Sequence, residues 1–483
     1  MLSILVGHSY FLRFDEKQRR RAKPYPPLAT LQIAALLREG GHGVALFDAM
    51  LADGIEDYEA TLDLARPRLV LFYEDNYNFL SKMCLEKMRR ACCDMIARAR
   101  STGARVVAAG SDASDAPEPY LLAGADAVLR GEGLPALAAL VSRLDHEPAL
   151  PVSQWVDGLP DVVTIAGSAE RSTSVVPPPM PELPQRPAWD LVDIERYRSV
   201  WREAHGYFSL NMAASRGCSF RCNWCAKPIW GNQYLQRKAG DIAAEMLYLK
   251  GEYAPDHVWF ADDIFGFRAD WVLEFATALG AGGGGVPFTI QLRADLVSPR
   301  MADALRRARC REVWIGAESG SQKILDAMNK GIRVPEIVAA RRLLGAEGIR
   351  VGFFLQLGYL GEELEDILAT RDLVDHARPD DIGVSVSYPL PGTKFHELVK
   401  EQLGSKRNWQ ESNDLEMMFS GTYRTEFYRS VRDLLHDHVT ERSSPALQQR
   451  WSDLVLQEEQ FRLPRQHDAT DLRRAAAPSL KVV

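Results

Sequence analysis

The sequence predicts an α/β protein made of two successive parallel-sheet domains followed by a helical C-terminal region. Three observations lead there. Short apolar, β-branched runs alternate with amphipathic helical stretches over residues 1–148 and again over 201–400. A proline-rich segment divides those blocks, and the strand pattern disappears over 401–465.

In the first block the predicted strands are 3–7, 43–48, 68–73, 104–110 and 125–130, with helical patterns near 28–39, 55–65, 79–100, 116–123 and 134–144. Strands apolar throughout and separated by amphipathic helices indicate a parallel sheet covered on both faces. Five such units in 148 residues predict a doubly wound, flavodoxin-like domain. Its ligands would sit beyond the carboxyl ends of the strands, at Gly7–Ser9, Tyr73–Asn76, Gly110–Asp112 and Gly131–Gly133.

Residues 149–200 read as a connector, because the run 175–189 holds six prolines, which block helix and favour extended chain. From 201 to 400 the predicted strands are 207–215, 257–263, 287–295, 312–319, 350–358 and 381–390, each followed by a helical stretch. Six βα units without an antiparallel hairpin predict a partial (β/α)6 barrel whose site lies at the carboxyl ends of its strands. The tail 466–483 has little to bury and is expected to be disordered.

Composition excludes several classes. The net charge of −7 is spread over mixed acidic and basic residues, so there is no nucleic-acid footprint. The basic run Lys17–Lys23 reads as a solvated loop or as a contact for an anionic ligand. No apolar run approaches the ~20 residues of a membrane span, and the N-terminus turns polar at once, so the expected location is the cytoplasm. Seven cysteines at uneven spacing do not make a disulfide framework.

Three of those cysteines fall within eight residues, in SRGCSFRCNWCAKPIWG (215–231), just after a predicted strand. Cys218, Cys222 and Cys225 suit a [4Fe–4S] cluster with one iron left open. The amino and carboxylate groups of S-adenosylmethionine (SAM) can chelate that iron. Gly217 allows a tight turn, Pro228 blocks helix, and Trp224 can shield the cluster or face the adenine. A structural zinc site wants a fourth ligand, and His205 and His257 have no finger-like spacing to the loop. A ferredoxin-type carrier wants a fourth cysteine, and the others lie far off in sequence.

The Cys-x3-Cys-x-aromatic-Cys spacing on a first barrel strand resembles the radical SAM superfamily, over the whole second block. That resemblance implies SAM contacts from Asp262 and Asp263 in FADDIFGF and from Glu318 and Ser319 in GAESGS. It implies others from Gly358 in GYLGE and from Pro391 in YPLPGTKFHE. Read without it, the aspartates are helix N-caps and Glu318 pairs with Arg293.

A flavodoxin-like domain ahead of such a barrel resembles the cobalamin-binding class of that superfamily, which includes C-methyltransferases and the anaerobic magnesium-protoporphyrin monomethyl ester cyclase. Residues 103–133 and 187–197 carry the likeness. It implies cobalamin contacts from Tyr73, Glu74, Asp75, Gly110, Ser111, Asp112, Gly131 and Glu132. The Asp-x-His-x-x-Gly motif for a histidine cobalt ligand is missing; His8, His42 and His146 lie outside any such pattern.

The implied activity is reductive cleavage of SAM to a 5′-deoxyadenosyl radical. Hydrogen abstraction from a small molecule and methyl transfer from cobalamin would follow, with electrons from a flavodoxin- or ferredoxin-type donor. Two rival readings stand beside it: oxidative cyclisation or rearrangement without methyl transfer, and a non-catalytic cobalamin or redox sensor. Trp201, Tyr207, Trp230, Tyr234, Phe265, Tyr388 and Tyr423 are candidate pocket aromatics or core, and Met417–Phe419 a candidate cap.

Overall fold

The computed structural model describes residues 1–78, 81, 85–168, 183–184, 186–225, 229–230, 232–404, 416–442 and 444–463. Most of the proline run and the whole 466–483 tail lie outside the described residues.

The N-terminal sheet holds β1 (Ser3–Gly7), β2 (Gly43–Phe47), β3 (Leu69–Tyr73), β4 (Arg105–Ala109), β5 (Ala127–Leu129), β6 (Val162–Thr164) and β7 (Gly167–Ser168). Their spatial order is β2-β1-β3-β4-β5-β6-β7, with β1 to β5 parallel. Strand order reverses at β1, so the crevice for a ligand opens beyond the ends of β1 and β3. β3 is buried from Leu69 to Tyr73 because helices cover both of its faces.

Part of the expected connector belongs to this domain. β6 extends the sheet antiparallel to β5, and β7 pairs antiparallel with β6. Trp155, fully buried, donates from Nε1 to the Leu140 carbonyl at 2.8 Å. The guanidinium of Arg105 lies 5.6 Å from its ring centroid. The expected loop after β4 is a short helix, Ser111–Asp115.

The second sheet runs β15-β14-β13-β12-β11-β8, all parallel. Its strands are β8 (Ser209–Met212), β11 (His257–Phe260), β12 (Phe288–Leu292), β13 (Cys310–Glu318), β14 (Arg350–Leu357) and β15 (Asp381–Val386). β8 and β15 do not pair, so the sheet curls into an open half-barrel with its helices outside. Helix Thr425–Glu441 packs on β15 and on helix Leu364–Ala377.

One expectation for this block needs correcting. The predicted strand 207–215 is two strands, and the second, β9 (Ser215–Gly217), pairs antiparallel with β10 (Tyr234–Gln236). This small hairpin is the frame of the cysteine loop. Among the described residues no helix is long and apolar enough to cross a membrane.

Removing the Trp155 side chain leaves a large cavity, so Trp155→Ala should cost about 3–5 kcal/mol in urea unfolding of the N-terminal domain. A loss under about 1 kcal/mol would place residues 149–168 outside that core.

Candidate functional site

The cysteine loop starts where β8 runs out, and a buried carboxylate fixes the exit. Asp262, fully buried just past β11, accepts from the Ala214 N–H at 3.1 and 3.0 Å and from the Ser215 hydroxyl. Burial pushes its carboxyl up to about 7. Gly217 follows at φ 76°, and a Cβ there would lie 2.3 Å from the Gln233 carbonyl, so only glycine fits.

Beyond Gly217 the backbone is pinned from two sides. Asn223 donates from its backbone to the Met328 carbonyl at 2.9 Å and accepts from the Phe395 N–H at 3.0 Å. Asn329 donates from Nδ2 to the Arg221 carbonyl at 2.7 Å. The turn after β15 and the segment after β13 are thereby drawn onto the loop. Cys218 is buried, while Cys222 and Cys225 are half-buried.

Two buried cations stand beside it. Arg293 stacks its guanidinium 3.7 Å from the Phe220 ring centroid and points Nη1 at the Cys222 sulfur, 3.9 Å away. Asp295 and the Lys330 carbonyl hold the rest of that guanidinium. Lys330 pairs with Glu318 at 2.6 Å. Burial works against its charge, but Glu318 and Cys222 hold its pKa above the usual lysine value. The expected pairing of Glu318 with Arg293 is therefore not what forms. Lys330, twelve positions along the chain, takes that carboxylate, and Glu318 adopts φ 61° at the end of β13.

The other expected SAM positions divide. Trp224 is half-buried with a partnerless indole N–H, and its ring centroid is 5.9 Å from the Lys330 ammonium. Asp263 is half-buried beside Asp262. Ser319 faces helix Leu364–Ala377, 3.1 Å from the Thr370 hydroxyl. Gly358 donates to Glu362 at 2.6 Å, and a Cβ on it would meet the Met417 methyl at 2.8 Å. Met417 thus covers the end of β14, and Pro391 lies in the turn after β15.

At the N-terminal sheet, Glu74 accepts from the Ser9 N–H, and Asp75 accepts from Ala29 and Tyr77 N–H groups. Burial raises both carboxyls. Gly110 has φ 151°, and a Cβ there would lie 2.7 Å from that of Glu74. Asp112 pairs with Arg89 and accepts from the Tyr120 hydroxyl. Gly131 donates to the Ser114 hydroxyl at 3.0 Å. The Tyr73 hydroxyl donates to the Glu132 carbonyl at 2.9 Å.

Glu132 does more than line its own sheet. Its carboxylate pairs with Arg216, two residues before Cys218, and accepts from the Trp230 indole at 3.2 Å. The carboxyl ends of the two sheets therefore meet at the cysteine loop.

The residues of each set fit the group that they would hold. Among the described residues no three His, Cys, Asp or Glu side chains converge on a single metal ion. A cubane takes each thiolate on a different iron, and an anionic cluster suits the two cations beside the loop. At the N-terminal sheet, His8 Nδ1, Asn76 Oδ1 and Ser111 Oγ are buried without partners, just past β1, β3 and β4. Orphaned polar atoms at the reversal of strand order fit a polar ligand there.

Comparison with known proteins decides the family of the second block. Residues 212–374 match the Radical SAM superfamily. The chain carries a radical SAM domain. An uncharacterized methyltransferase of Pyrococcus horikoshii is 24% identical over 399 residues, 80% of this chain and 81% of that protein. The anaerobic magnesium-protoporphyrin IX monomethyl ester cyclase of Rubrivivax gelatinosus is 25% identical over 58% of this chain, which spans about half (49%) of its length. The solved structure of the radical SAM methyltransferase TsrM from Kitasatospora setae, with cobalamin and [4Fe–4S] cluster bound, aligns at a TM-score of 0.66. Its identity is 18%, covering 84% of this chain and 76% of that one.

Within the radical SAM domain, sequence reasoning missed Lys330 and the role of Arg293. Neither lies in a motif with fixed spacing to the cysteines, and only the barrel's curl brings them together. Trp201 and Tyr423 are core, as is Phe265, whereas Trp230 stands at the domain junction.

Glu362, in the same turn as Gly358, has one carboxyl oxygen without a partner, and burial pushes it from 4.5 up to about 8. An acid whose folded pKa is raised contributes stability below its unfolded pKa and loses it as pH rises to the folded value. Thermal unfolding should therefore show stability falling between about pH 5 and pH 8, at about 1.4 kcal/mol per unit of displacement. Glu362→Gln should flatten that part of the profile relative to wild type; an unchanged slope would assign the titration elsewhere.

Proposed function

We propose that this chain is a cobalamin-dependent radical SAM enzyme that methylates a carbon of a small-molecule substrate. The observation that carries the reading is the contact of Glu132, from the N-terminal sheet, with Arg216 and Trp230 on the two sides of the cysteine loop. A cofactor at the end of each sheet would then face the other across a short gap. The relatives named as methyltransferases, and the TsrM structure with cobalamin and cluster bound, support this reading.

When bound, the cluster supplies the electron that cleaves SAM and the corrinoid supplies the methyl group, while the protein positions them and excludes water. Cys218, Cys222 and Cys225 would hold the cluster. Lys330 and Glu318, a buried pair beside Cys222, offer both charges needed by an amino acid's ammonium and carboxylate. Arg293 holds the Cys222 sulfur against a fixed positive charge. His8, Asn76 and Ser111 are the groups left to meet the corrinoid. Glu74, Asp75, Asp112 and Glu132 act through the backbone and the loop contacts already described.

Protein reconstituted without air should contain iron and sulfide and should bind cobalt as a corrinoid. With SAM and a reductant such as reduced flavodoxin it should release 5′-deoxyadenosine, and the product should gain CH2. A product without that gain would replace methyl transfer by cyclisation or rearrangement. Zinc, or no metal, at the cysteine loop would end the whole reading.

A hydrogen bond and a positive charge at a cluster sulfur raise its reduction potential. Arg293→Met should accordingly keep its iron while its midpoint potential, followed by electron paramagnetic resonance, moves to more negative values. Arg293→Lys should fall between Met and wild type.

A further inference from the structure

Helix Gln322–Ala327 ends in a left-handed turn beside the cysteine loop, with Asn329 at φ 50°. The Asn329 N–H returns to the Asp326 carbonyl at 2.9 Å, and that of Lys330 returns to Leu325 at 3.0 Å. This closing pattern spends the turn's own N–H groups on residues 325 and 326. It leaves the Ala327 and Met328 carbonyls to be met from outside the helix. Both are met by one residue of the cysteine loop, Asn223.

Asn223 is buried and lies between Cys222 and Cys225. Its main chain donates to Met328 and accepts from Phe395. Its side chain adds a second set of bonds. Nδ2 donates to the Ala327 carbonyl at 2.9 Å. The same amide hydrogen-bonds the Tyr359 hydroxyl, which itself donates to Ala327 at 3.2 Å. Tyr359 is buried in the turn after β14 and stacks on Phe395 at 4.8 Å, with 22° between the planes. Asn223 thus gathers the chain that follows β13, β14 and β15 at one point next to Cys222.

The same turn holds the cation that faces that sulfur. The Lys330 carbonyl receives Arg293 Nη2 at 2.8 Å, while Nη1 points at the Cys222 sulfur 3.9 Å away. Cys222 and Arg293 therefore both take their positions from residues 327–330. A shorter side chain at 223 keeps the main-chain bonds, so the loop stays attached, but it frees the loop to pivot away from Arg293.

We propose that Asn223 is a positioning residue for the cluster: its side chain, tied to Ala327 and Tyr359, fixes the distance between the Cys222 sulfur and Arg293 and so helps to set the cluster's reduction potential. The inference rests on the cluster reading of the three cysteines. A donor and a positive charge at a ligand sulfur favour the reduced cluster, and their effect falls with distance. A residue that only fills space would leave that potential alone.

The test uses the full chain, reconstituted without air, as Asn223→Ala, Tyr359→Phe, Arg293→Met and the double variant Asn223→Ala with Arg293→Met. Iron is counted, and the midpoint potential is followed by electron paramagnetic resonance. Asn223→Ala should keep its iron while its midpoint moves to more negative values, so that at the wild-type midpoint its reduced fraction falls several-fold. Tyr359→Phe, which keeps the ring on Phe395, should move the same way by less. In the Arg293→Met background the Asn223→Ala shift should shrink to under about half, because the contact it protects is already gone. A wild-type midpoint in Asn223→Ala overturns the proposal, and so does a shift that adds in full to that of Arg293→Met. Should Asn223→Ala lose its iron, Tyr359→Phe decides: a negative shift supports the proposal and a wild-type midpoint overturns it. Wild type with iron but variants without these shifts removes this inference alone, whereas wild type without iron at the loop removes the cluster reading with it.

Discussion

The ion pair between half-buried Glu132 and buried Arg216 holds the rest of the site together. Each partner comes from the end of a different sheet, so neither domain can complete the contact alone. A pair largely withdrawn from water returns little net stability, because desolvation offsets its attraction. What it does fix is geometry. Arg216 belongs to the small hairpin that carries Cys218, and Trp230 donates to the same carboxylate from beyond Cys225. The cysteine loop is thus clamped at both ends by one side chain of the other domain.

Electrostatics around that loop follow from the same constraint. Asp262 spends its carboxylate on the strand exit, and burial pushes its carboxyl up to about 7. Beside the sulfurs stand two cations, Arg293 and Lys330, each paired with a carboxylate. A loop of thiolates without compensating charge would resist an added electron, so these two groups matter to any redox chemistry there. Glu318 balances Lys330 and leaves Arg293 to Cys222 and Asp295.

The opening of the half-barrel has one physical origin. β8 and β15 do not pair, so the sheet stays open along that seam while helices cover its outer face. The segment ahead of helix Leu28–Glu39 lies against β8, with Pro24 and Pro26 carbonyls receiving Trp201 and Asn211. The N-terminal domain therefore packs against the β8 side of the half-barrel.

From its sequence alone this protein was legible as two parallel-sheet blocks, because strand alternation and helical periodicity are local properties of the chain. The three cysteines were legible for the same reason: their spacing is short and their chemistry specific. The short hairpin around them was not, since β9 and β10 are three residues each and lie seventeen positions apart. Nor was the assignment of residues 149–168, where β6 and β7 are too short to show a pattern. Glu318 was read as a SAM contact or, without the family resemblance, as a partner of Arg293 by strand adjacency, and the fold pairs it with Lys330. Which cation meets which sulfur and which carboxylate joins the two sheets depend on contacts between residues distant in the chain. Tertiary packing alone decides such contacts, because their energy depends on burial and distance, and neither is written in local sequence.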